Sequence, residues 1–150
     1  MDIAPLFGIS LTISSLPPPV LVYWRTPLVR YYKVNTDGCV KDGFSSGGRI
    51  IRDSSDLWIE SDSTLAIHCI IRGGGPWSIQ AILRHIRHLF SSERDVISHI
   101  YLESNQVADL LASKGWNRRC YFKYSAHDLP QRYSSLVQID RHGLPTIRGL

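Results

Sequence analysis

Apolar residues along this chain follow two rhythms, and the change from one to the other sets out an alternating succession of strands and helices. Tyr31 to Asn35 is aromatic and β-branched and predicts a first strand, stopped by Thr36-Asp37-Gly38. Cys39 to Phe44, with Gly43 and two charges, predicts a hairpin connection. Gly48 to Arg52 predicts a second strand closed by Asp53-Ser54-Ser55-Asp56, and Leu57 to Ser61 a short third. The rhythm then becomes helical. Ser63 is placed to cap a helix to about Ile71, with Leu65, Ala66, Ile67, Ile70 and Ile71 as its apolar members, stopped by Gly73-Gly74-Gly75-Pro76. Ile79, Ile82, Leu83, Ile86, Leu89 and Phe90 recur at helical spacing, the strongest amphipathic stretch of the chain.

Alternation returns over Asp95 to Leu102, with Val96, Ser98, Ile100 and Leu102 on one face and Ile97, His99 and Tyr101 on the other. Asn105 then caps a last helix with Val107, Ala108, Leu110, Leu111 and Ala112 as its buried side and Gly115 as its stop. Three segments follow from this pattern: a loose leader over 1–23, an α/β domain over 24–115, and a mostly irregular tail over 116–150. The leader is apolar but interrupted by Asp2, several hydroxyl residues and Pro17-Pro18-Pro19, without a basic start or an unbroken membrane-length run.

Composition narrows the class. At 150 residues with 43% hydrophobic and 20% charged positions, the chain is long enough to bury one core and too apolar for a disordered protein. The formal charge of +4 permits a polyanionic partner without requiring one. Cys39, Cys69 and Cys120 are odd in number and far apart, which argues against a zinc ribbon or a redox pair and fits an intracellular compartment, nucleus or cytoplasm. The glycine run lacks the Lys-Ser/Thr of a phosphate-binding loop and predicts a connector. Opposite the apolar stripe of the amphipathic helix stand Arg84, His85, Arg87 and His88, a solvated face or a surface for a nucleic-acid backbone.

Three aspartates stand at element ends: Asp37 after the first strand, Asp62 after the short third, and Asp109 in the first turn of the last helix. Singly, each has an ordinary role in a turn, a cap or a helix dipole. Together they form a candidate site for a hard divalent cation, whose preferred ligands are carboxylate oxygens.

The motifs carry a resemblance. Lys33-Val34-Asn35-Thr36-Asp37-Gly38, Gly47-Gly48-Arg49-Ile50-Ile51-Arg52-Asp53, Glu60-Ser61-Asp62-Ser63 and His99 through Asn105-Gln106-Val107-Ala108-Asp109 occur in that order. With Trp24-x-x-Pro27 ahead and Asp128-Leu129-Pro130 to Arg148 behind, the chain resembles the ribonuclease H-like domain widespread in plant genomes and related to retrotransposon ribonuclease H. The resemblance implies a mixed sheet flanked by helices. It also implies a two-magnesium site using Asp37, Asp62 and Asp109 as catalytic metal ligands, and hydrolysis of RNA in RNA–DNA hybrids. The partner it implies is nucleic acid, hybrid or RNA, with no membrane.

The pattern also departs from the family. Only seven positions separate Asp53 from Glu60, where the family has another strand and a helix opening with an Ala-Glu pair that supplies the fourth ligand. No Ala-Glu pair occurs here. The expectation is therefore a ribonuclease H-like α/β fold lacking about one strand and the first helix, with an incomplete magnesium site and activity reduced or lost. The alternatives are a non-catalytic binding remnant and the product of a truncated gene model. Glu60 and Glu103 are acids near the site, although the resemblance places them beside the missing glutamate rather than in its stead. Leu102 stands where the family has Arg, and His99 matches a usual His.

Overall fold

The computed structural model describes residues 18–52, 56–90 and 92–148. Its centre is a four-stranded mixed sheet, built from β2 (Tyr31–Lys41), β3 (Phe44–Arg52), β4 (Asp56–Ser61) and β5 (Val96–His99). The order across it is β3-β2-β4-β5, with β2–β3 antiparallel and β2–β4–β5 parallel. β-Branched and aromatic residues fill the strands where the sheet is half-buried. A second, two-stranded sheet pairs β1 (Val20–Val22) with β6 (Thr146–Arg148).

The first two strands are longer than the sequence pattern implied. Thr36-Asp37-Gly38 does not stop β2, because Asp37 and Gly38 pair with Gly48 and Gly47 of β3. The turn falls instead at Asp42-Gly43, whose φ angles of 52° and 75° make the two-residue left-handed turn that matches strand twist. Asp53, the end of the second motif, lies outside the described residues. Only three positions, 53–55, separate β3 from β4, so the hairpin passes to the central parallel strand without the intervening helix of the resemblance.

α1 (Thr64–Arg72) begins where expected, with the Ser63 side chain accepting from the Ala66 N–H. The glycine run connects it to a 3-10 turn (Trp77–Ile79) and α2 (Gln80–Leu89). These helices cover the face of β4–β5 that carries Ile97, which lies in a cleft with Ile70, Ile71 and Phe90. β5 is shorter than the predicted 95–102, since residues 102–104 form a 3-10 turn.

α3 (Gln106–Arg118) packs on β3 and β2, on the opposite face. A Cβ on Gly48 would strike the Ala108 carbonyl and the Ala112 amide and lie 2.8 Å from Leu111 Cβ, so only glycine admits the helix this close. Gly115 does not end α3. Its own Cβ position lies 3.3 Å from Ser46, and the helix continues to a left-handed stop at Arg119. The face of β2–β3 away from α3 stays open, with Tyr32 and Ile51 exposed.

Two further expectations are corrected. The segment after 115 is not mostly irregular: it forms α4 (Gln131–Arg141) and β6. The leader contributes Val20–Val22 as β1, and its residues 1–17 lie outside the description. Among the described residues, no helix is long and apolar enough to cross a membrane.

Candidate metal centre

Alternation along β2 puts Lys33, Asn35 and Asp37 on the face that meets α3. Lys33 is fully buried and pairs with Glu60 at 2.9 Å. Its ammonium stands over the rings of Trp24 and Trp58, at 4.5 and 4.3 Å from their centroids, and also donates to the Arg25 carbonyl. Asn35 donates to the same Glu60 oxygen at 2.8 Å and accepts from the Trp24 indole at 2.9 Å. Burial lowers the Lys33 pKa, with the Glu60 carboxylate opposing the shift. Glu60 is thus committed to a buried pair that fastens β4 to β2, and is not a spare ligand.

One step further along this face lies the acidic site. Asn35 pairs with Glu60 and Thr36 with Ser61, so Asp37 and Asp62 follow directly on adjacent parallel strands. α3 brings in Asp109 from above, with Ala108 against Gly48, the residue paired with Asp37. The Asp37 carboxyl is half-buried, and its pKa is pushed up to about 6. Burial is the largest cause; a hydrogen bond from the Gly38 amide (2.7 Å) works against it, while the charges of Asp62 and Asp109 and a hydrogen bond with Asp109 add to it.

Asp37 therefore lies within electrostatic range of both Asp62 and Asp109. Among the described residues, no group of three or more acids, histidines or cysteines is arranged to hold a metal ion. The two findings differ because charge acts over longer distances than ligation. Carboxylates gathered in this way could hold a magnesium ion, which is commonly bound by one or two carboxylates and keeps several waters.

The remaining candidates separate from this pair. His99 is exposed and packs edge-on against Tyr101, ring centroids 5.4 Å apart. Glu103 opens a 3-10 turn, and its carbonyl accepts from Gln106. Arg87 donates to the Cys69 carbonyl at 3.1 Å, so the basic face of α2 reduces to Arg84, His85 and His88. Sequence reasoning missed the Lys33–Glu60–Asn35 cluster and the Arg52–Asp140 pair (2.7 Å). The Trp24-x-x-Pro27 lead-in was the available signal for the first, since Trp24 caps that cluster.

The sheet order and the helix faces give a mixed α/β domain consistent with a ribonuclease H-like fold. A family model described as reverse transcriptase-like matches residues 53–115, which supports a ribonuclease H-like domain over a stretch that includes Asp62 and Asp109. No curated protein and no solved structure matches the chain.

Proposed function

We propose that the chain is a nucleic-acid-binding ribonuclease H-like domain. Asp37 and Asp109, assisted by the charge of Asp62, hold magnesium, and the hydrolysis of RNA in RNA–DNA hybrids is reduced or lost. The observation that carries this reading is the Asp37 carboxyl, pushed up to about 6 beside Asp62 and Asp109. The match to a reverse transcriptase-like family supports the nucleic-acid partner.

Bound magnesium would supply a polarised water and neutralise charge on a phosphodiester. Asp37 and Asp109 would orient the ion between β2 and α3, and Asp62 would add negative charge from just beyond β4. Glu60 keeps the two strands in register through Asn35 and Lys33. Only three positions lie between β3 and β4, which supports a site without the strand, helix and fourth acid that the resemblance implies. That absence is the reason for reduced or lost cleavage. A hybrid would be held through its phosphates and 2′-hydroxyls, independent of base sequence.

The test is to measure binding and cleavage of an RNA–DNA hybrid with and without Mg2+. Mg2+-dependent binding with little or no cleavage is expected, weakened by Asp37→Asn. Brisk cleavage abolished by Asp37→Asn would overturn the loss of activity, and failure to bind the hybrid would overturn the whole reading. A non-catalytic binding domain is the second reading, favoured by the exposed Arg84, His85 and His88 of α2. Under it, Arg84→Glu weakens hybrid binding while Asp37→Asn leaves it unchanged.

A further inference from the structure

Asn105 sits just ahead of α3, where an asparagine ordinarily turns its side chain back to cap the helix. It does not do so here: no side-chain cap bond forms. The side chain is almost completely buried, and its Nδ2 donates across to the Thr36 carbonyl at 3.0 Å. Its own backbone carbonyl accepts from the Asp109 N–H at 3.1 Å. One residue therefore joins the peptide group preceding Asp37 to the amide of Asp109 through two hydrogen bonds. The contact spans 69 positions of sequence and joins the two backbone segments that carry Asp37 and Asp109.

We infer that Asn105 is a positioning residue for the candidate metal centre: it gives up its capping bond to fix α3 on β2 and so sets the placement of Asp109 against Asp37. The inference rests on the metal-binding reading above, and the structure contains its own control. Ser46 Oγ donates to the Ala112 carbonyl at 2.7 Å, a second side-chain bond between the sheet and the same helix, further from the acids. If Asn105 merely held α3 down, losing either bond would have the same consequence. If it positions the acids, only its own loss reaches the site.

Mn2+ binding to the full chain, followed by titration calorimetry, separates these cases. Asn105→Leu keeps the side-chain size and removes the donor, and should weaken Mn2+ binding about tenfold or more, the scale of lost supporting contacts around metal ligands. Ser46→Ala should leave the affinity within about twofold, by the same comparison of supporting and remote contacts. Equal losses in the two variants, or an unchanged affinity in Asn105→Leu, would overturn the inference. A metal-free readout keeps it distinct from the reading it rests on. In the wild-type protein the Asn105 side-chain amide protons should exchange slowly with solvent. In Asn105→Leu, the backbone resonances of Asp37 and Asp109 should move, while in Ser46→Ala they should not. If the wild-type chain binds no Mn2+ but this pattern holds, the metal reading fails and the positioning role stands. Fast exchange at Asn105, or unmoved Asp37 and Asp109 resonances, would remove the positioning role whatever the metal does.

Discussion

Asp37 holds its proton more tightly in the folded chain than an ordinary aspartate does, and the sign of the consequence follows from that. Between about pH 4 and pH 6 the folded state keeps a proton that the unfolded chain releases, so stability falls as pH rises through that window. Asp37→Asn should therefore raise stability at pH 7 by about 1 kcal/mol, after discounting for solvent screening of a half-exposed group. The gain should vanish near pH 4, as urea unfolding at the two pH values would show. A constant difference between them would contradict the charge explanation. Lys33 gives the opposite lesson. Its place in Tyr31-Tyr32-Lys33 offers no hint of burial, because Glu60, Trp24 and Trp58, which make burial tolerable, come from other segments. Lys33→Met should cost about 3 to 5 kcal/mol by leaving the Glu60 charge buried without its cation. Adding Glu60→Leu should recover much of that loss in a double-mutant cycle of urea unfolding.

Among the predicted elements, α1 was legible at its cap and α3 along its buried side, while β2 and β3 were legible only in part. Val107, Ala108 and Ala112 are buried as their helical spacing implied, and the cap at Ser63 placed α1 correctly. β2 and β3 were underestimated because Asp37-Gly38 reads as a turn when taken alone. The true turn, Asp42-Gly43, lies a few residues on, and pairing across the hairpin prevails over the local preference. Gly115 looked like a helix stop for a similar reason. Its absence of a side chain serves the contact with Ser46 instead. Gly48 bears the closest approach in the fold, so Gly48→Ala should force α3 away from the sheet at a cost of about 3 kcal/mol. Chemical denaturation would measure the loss, and a neutral result would mean that the helix does not lie this close.

At the level of the whole molecule, the segments flanking the sheet are held by contacts that no local pattern could announce. β1 meets β6, and Arg52 reaches Asp140 of α4 while also stacking on Trp24 at 4.0 Å. The tail read as irregular because its apolar residues are few, yet α4 offers Tyr133 and Asp140 to the domain. Among the described residues, Arg52 Nε and Nη1 are already buried without partners, so Asp140→Ala would take away the ion-pair partner of the guanidinium. A loss of about 3 kcal/mol is expected in urea unfolding. The three aspartates stood out in the sequence by residue type and order, while their mutual placement depends on where α3 settles on β2 and β3. The measurement that bears most directly on the account is calorimetric titration of Mn2+ into the wild-type chain and into Asp37→Asn and Asp109→Asn. The account predicts binding in the wild type that either substitution abolishes or weakens at least tenfold, on the scale of losing a direct ligand. Equal affinity in all three proteins, or no binding by the wild type, would contradict it.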